Sequence, residues 1–173
     1  MPRFEYYNTG DDNSSSFYDV AWQSQTFTTT SAHKITSVKL KLYRVGTPGT
    51  ITVSIKAVDV NFKPTGDDLC SGTTNGDTLT TDSGGEWIEI TLGDGYILTT
   101  GTQYAIVVRA LSGDVYNKVV WRMDAESPTP PTYEGGGGLQ STNSGSTWGI
   151  APIDMMFETW GFLLPSSQVV IVG

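Results

Sequence analysis

Residues 35–59 read ITSVKLKLYRVGTPGTITVSIKAVD, and the alternation inside this stretch decides the fold class. Val38, Leu40 and Leu42 alternate with Lys39, Lys41 and Tyr43. Beyond Gly46-Thr47-Pro48-Gly49, Ile51, Val53, Ile55 and Ala57 alternate with Thr50, Thr52, Ser54 and Lys56. Successive side chains of a strand point to opposite faces, so each segment has one apolar and one polar side. Glycine tolerates positive φ and proline pre-sets its own, so the four residues between the segments let the chain reverse. The expected unit is a half-buried antiparallel hairpin with Lys39, Lys41 and Lys56 together on its wet face.

The rest of the chain follows the same pattern. Threonine, serine and glycine abound, turn signals recur at short intervals, and no stretch shows a 3.6-residue period. Strands are expected near residues 4–7, 21–28, 36–44, 50–59, 86–92, 103–111, 118–123 and 153–162, with further candidates at 68–73, 139–142 and 168–172. In QYAIVVRAL, Tyr104, Ile106 and Val108 share one face while Ala105 and Val107 are apolar on the other. That strand is expected to be central and covered on both sides. Many short strands separated by turns indicate an all-β, antiparallel two-sheet sandwich. The module is read as residues 22–162, with an N-terminal extension or first strand at 1–21 and a β-prone C-terminal arm at 163–173.

Charge is unevenly distributed. Ten basic residues face eighteen acids for a net −8, yet Val20 to Val58 holds Lys34, Lys39, Lys41, Arg44 and Lys56 with no acid. Two explanations stay open: lysines that protect strand edges from unwanted pairing, and a patch that meets an acidic partner. The acidic total argues against nucleic acid as a partner. No apolar run is long enough for a membrane helix, and the opening MPRFEYYNTG lacks the apolar core of a signal peptide. One cysteine, Cys70, excludes an intramolecular disulfide and reads as a small packed hydrophobe. The tail segment Val169, Val170, Ile171 and Val172 is β-prone and must pair with its own sheet or with a neighbour.

Catalytic signals are sparse, and the expectation is a protein that is not an enzyme. The lone histidine, His33, is read as a surface turn residue in TTSAHK, without the partners of a nucleophilic triad. The tetraglycine at 135–138 is not followed by the Lys-Ser/Thr of a phosphate loop. Asp11, Asp12 and Asp19, with Asn13, form an oxygen-rich stretch suited to a structural calcium, although their spacing is not that of an EF-hand. Ser141-Thr142-Asn143-Ser144-Gly145-Ser146-Thr147-Trp148 resembles the Asp-box S-x-D-x-G-x-T-W, with Asn143 in place of the acid. That resemblance implies a tight hairpin turn with Trp148 tucked beneath it. Trp87, Trp121 and Tyr133 are the candidates for stacking on a sugar, set against the alternative that each packs laterally in the sandwich.

The order of QSQTFTTTSAHKITSVKLKLYRVGTPGTITVSI, KPTGDDLCSG, LTTGTQYAIVV, VVWR, GSTW and IDMMFETWG resembles the choice-of-anchor, carbohydrate-binding-like jelly-roll modules of bacterial surface and phage proteins. The resemblance implies a galactose-binding-like β-sandwich and a non-catalytic role, and it carries over no functional residue. The leading expectation is a structural or accessory protein of a virion, as bacteriophage capsid decoration or a tail component. Its partners would be further copies of itself or a capsid or tail protein. The alternative is an extracellular carbohydrate-binding or adhesion module of a bacterial surface protein, with surface glycans as ligands.

Overall fold

The computed structural model describes residues 1–125 and 130–165, in which thirteen strands form two antiparallel sheets. The larger sheet holds β1 (Arg3–Tyr7), β2 (Asn13–Phe17), β4 (His33–Val45), β7 (Glu86–Leu98), β9 (Lys118–Ala125), β12 (Ile153–Met155) and β13 (Phe157–Leu163). The smaller holds β3 (Trp22–Thr28), β5 (Thr50–Val58), β6 (Pro64–Asn75), β8 (Gln103–Arg109), β10 (Gly138–Ser141) and β11 (Gly149–Ile150). The expected two-sheet β-sandwich is therefore present. Residues 1–21, read as flanking the module, supply two strands of the larger sheet and bury Tyr7 and Phe17 in its core.

The hairpin expected at 35–59 does not exist. β4 pairs with β7, β13 and β9, whereas β5 pairs with β6 and β8. Residues 46–49 carry the chain from one sheet to the other. Alternation reports which face of a strand is apolar and is silent about its neighbour. Two amphipathic strands can satisfy it by lying side by side or by facing each other across a core. Here they face each other. The crossing is tight: Gly46 has φ 64°, and a Cβ on it would lie 2.4 Å from the Asn117 amide oxygen. Lys39 and Lys41 therefore sit on the outer side of the larger sheet and Lys56 on that of the smaller, so the three do not form one patch.

Between the sheets, Phe17, Phe27, Ile35, Leu40, Leu42, Ile51, Ile55, Leu92 and Phe157 are fully buried. Trp121 joins them, and its indole N–H donates to the Met156 carbonyl at 2.8 Å, which satisfies the ring's one polar atom. Met156 is where the last strand passes from pairing β9 to pairing β4. His33 is buried, not on a surface turn. It is the first residue of β4 and lies in phase with inward-facing Ile35, stacked on Phe4 at 3.6 Å, with Nδ1 2.8 Å from the Ser31 carbonyl. A polar neighbourhood in sequence did not outweigh strand phase. Cys70 packs against the core, and burial, reinforced by Asp68, pushes its thiol up to about 12.

β8 lies between β3 and β5, and Ala105 and Val107 on its outer side are as buried as Ile106 and Val108 on its inner side. Leu139 and Trp148, contributed by β10 and the turn after it, form the outer cover. This second, smaller apolar layer underlies a cleft on the outer face of the smaller sheet.

A cleft on the outer face of the smaller sheet

The turn from Ser141 to Trp148 is held by its own side chains. Asn143 Oδ1 accepts the Thr147 N–H at 2.9 Å and the Ser141 hydroxyl at 3.0 Å, while Asn143 Nδ2 donates to Thr147 Oγ1 at 2.9 Å. The Ser141 hydroxyl oxygen accepts the Gly145 N–H at 2.9 Å. Ser144 and Gly145 take φ of 56° and 77°, which closes the turn. Asparagine thus supplies the acceptor an aspartate would give and adds a donor. The consequence is the expected one: Trp148 is tucked against Ala105, Val107 and Leu139, with 6% of its surface exposed.

Opposite this turn stands the loop joining β5 to β6. Asp59 N–H donates to the Lys63 carbonyl at 2.8 Å, and Asp59 Oδ1 accepts the backbone N–H groups of Asn61 and Lys63. The floor between the two turns carries Trp22, at the start of β3. Its indole N–H donates to the Asp19 carbonyl at 3.0 Å, and the Arg109 guanidinium lies 5.2 Å from the ring centre. Gly145 backs onto the same ring, where a Cβ would meet it at 2.9 Å. Together these parts enclose a cleft of about 550 Å³, bordered by Trp22, Lys56, Asp59, Asn61, Lys63 and the 144–148 turn.

A charge network beside the cleft reaches it through Lys56. Asp68 accepts from Arg109 Nη2 and from the Ser54 hydroxyl, each at 2.7 Å, and pairs with Lys56 at 3.0 Å. Burial opposes charge on Asp68, but the hydrogen bonds from Arg109, Ser54 and Lys56 and the guanidinium's charge prevail and hold the carboxyl at about 2. One carboxylate thus shares two cations. Lys63 has no ion pair among the described residues. The cleft offers an aromatic ring, ammonium groups and amide and hydroxyl groups, with Asp59 the one bordering acid among the described residues.

The residues singled out in the sequence are scattered. Trp121 is core and presents no face to a ligand. Trp87 is partly exposed on the outer side of the larger sheet, across from Lys41, and does not border the cleft. Tyr133 packs edge-on against Phe157 at 5.3 Å and borders a separate recess of about 400 Å³ with Phe4, Glu5, Tyr6 and Glu134. Burial, with help from Glu5, pushes its phenol above the usual tyrosine value. Lys39 lies 4.5 Å above the Trp160 ring and 4.0 Å from Glu89, and Lys41 pairs with Asp11. Lys56 alone reaches the cleft.

Asp11, Asp12 and Asp19 do not converge. Asp11 also accepts from Arg122 Nε at 2.6 Å, Asp12 accepts the Ala125 N–H at 3.0 Å, and Asp19 sits at φ 46° in the tight turn before Trp22. Among the described residues no group of three or more His, Cys, Asp or Glu side chains is placed to hold a metal ion. Val169, Val170, Ile171 and Val172 lie outside the described residues. Sequence reasoning missed Trp22, Asp59, Asn61 and Lys63. A signal was available in VDVNFK, a turn that contains an aromatic residue where turns favour small or polar ones.

No protein-family model and no curated protein sequence matches the chain. Among solved structures it is similar to the crystal structure of the cysteine protease and lectin-like domains of Cwp84, a surface layer associated protein of Clostridium difficile. The TM-score is 0.56 at 16% identity, and the match covers 83% of this chain and 32% of that one. At that identity the likeness establishes a shared fold.

Proposed function

We propose that the chain is a non-catalytic carbohydrate-binding module of a bacterial surface protein and that the Trp22–Lys63 cleft holds the sugar. The observation that carries this reading is the pairing of a half-buried indole with donors and acceptors in one concave site. A pyranose presents C–H groups to an aromatic ring and a rim of hydroxyls that need polar partners. A site for a small ligand encloses roughly 300–1,000 Å³, and the cleft, at about 550 Å³, suits one to two sugar rings. The shared fold with a structure that includes a lectin-like domain supports the same reading.

A binding role is favoured over hydrolysis because, among the described residues, Asp59 is the one acid bordering the cleft. Glycoside cleavage uses two carboxylates flanking the bond, whereas Asp59 spends Oδ1 on its own loop. The virion role loses one of its supports, since its lysine patch is divided between two opposite faces. An extracellular or cell-surface location accords with the solved structure's origin in a surface layer associated protein.

A glycan array followed by calorimetry on the hits tests the proposal. The wild-type chain is expected to bind one saccharide class, and Trp22→Ala is expected to weaken that binding about tenfold or more, the loss of one stacking contact. Equal affinity for both proteins would refute the assignment of the cleft.

A further inference from the structure

The loop that forms one wall of the cleft has an unusual residue at its tip. Val60, Asn61 and Phe62 make a three-residue hairpin loop, closed by the Phe62 N–H donating to the Asp59 carbonyl at 3.0 Å. Phe62 occupies the left-handed region at φ 62°. Such loops give that last position to glycine, because a Cβ there crowds the backbone. A bulky aromatic residue is therefore the wrong choice for folding. It is also the wrong choice for burial, since 62% of its surface is exposed. Strain and exposure at one residue call for a reason outside the fold.

The surroundings supply one. Asn61 and Lys63 border the cleft, whereas Phe62 between them borders a second, apolar groove of about 320 Å³. The far wall of that groove is Gly136, Gly137 and Ile150, the last of these 73% exposed. Gly136 lies flat on β3, where a Cβ would sit 2.2 Å from the Thr26 carbonyl oxygen. The two recesses thus meet at one loop, on the same side of the molecule, with Phe62 at the junction.

We infer that Phe62 is a binding residue that stacks on a second or third sugar ring, so that the module takes an oligosaccharide threaded from the cleft into the groove. This inference rests on the proposed sugar site and adds ligand length and a further residue to it. The polar cleft orients the first ring through its hydroxyls, and the mainly apolar groove accepts the next ring by its C–H face, with Thr26, Gln103 and Glu134 as its polar lining. The strain at Phe62 is retained because the ring gains contact area only when a chain of sugars crosses the loop.

The test measures affinity against chain length, using gluco-, manno-, galacto- and chito-oligosaccharides of one to five units. Wild-type affinity is expected to rise about tenfold between the monosaccharide and the trisaccharide of the preferred series, one stacking interaction's worth. Phe62→Gly is expected to remove that rise, leave monosaccharide affinity unchanged and leave the melting temperature equal or higher, since the strain is relieved. Phe62→Leu, which keeps strain and apolarity without the aromatic face, is expected to lose the rise, and Phe62→Trp to keep it. These two decide the matter if the glycine variant does not fold. A wild-type affinity independent of length, or an undiminished rise in Phe62→Leu, overturns the inference while leaving the sugar site in place. Absence of binding to every saccharide removes both.

Discussion

Replacing Trp148 by alanine would strip the outer cover from the central strand. The side chain is 6% exposed and packs on Ala105, Val107 and Leu139, a layer separate from the main core. A buried tryptophan removes roughly 200 Å² from water, worth about 5 kcal/mol at 25 cal/mol per Å² as an upper bound. Residual compactness of the unfolded chain lowers this by about 10–40%, and the turn can partly settle into the space. The expected loss is about 3–4 kcal/mol, in line with other large aromatic truncations. For a chain of this size that is a fall in melting temperature of about 6–16 °C. Urea unfolding followed by circular dichroism measures it, with Trp148→Phe expected to recover about half. A loss below about 1 kcal/mol would mean that Ala105 and Val107 do not depend on this cover and would refute the two-layer account.

Other perturbations probe different parts of the structure. Asn143→Ala removes the side-chain bonds to Ser141 and Thr147 and is expected to cost about 2 kcal/mol. Asn143→Asp keeps the acceptor, loses only the donor, and is expected to cost less than about 1 kcal/mol by the same urea assay. Gly72→Ala would place a Cβ 1.8 Å from the Thr91 carbonyl oxygen, where β6 meets β7, and is expected to destabilise by about 2–3 kcal/mol. Gly66→Ala meets no atom within 4 Å at φ 72°, so it carries only the backbone penalty of about 1 kcal/mol. The folded-state value of Asp68, about 2, lies below its ordinary 3.8. Its stabilising contribution is therefore complete above pH 4 and lost as the pH falls toward 2. Its partial exposure limits the effect to about 1 kcal/mol, and acid titration of Asp68→Asn is expected to lack that component.

Period-two alternation made the sandwich legible, and the doubly apolar pattern of 103–108 correctly marked a central, covered strand. The same alternation misled at 35–59, because strand faces are local information and strand partners are not. His33 failed for a related reason: its neighbours in sequence are polar, but its phase along β4 is that of Ile35. The Asp-box-like turn was readable because its hydrogen bonds close within eight residues. The cleft was not, since Trp22, Lys63 and Ser144 come together only through the order β10-β3-β8-β5-β6. Trp121 reads in sequence as either core or sugar face, and its inward phase on β9 puts it in the core. Asp11, Asp12 and Asp19 looked like one ligand set because they are close in sequence, yet the surrounding bridges turn them to different partners.

The measurement that bears most directly on the sugar site is an amide and indole NMR titration with the best saccharide from the array. Shifts are expected at the Trp22 indole N–H, at Asn61 and Lys63, and along the 144–147 turn, with the Trp87 indole unmoved. Shifts centred on Trp87 or on the Tyr133 recess, with the Trp22 indole silent, would contradict that site.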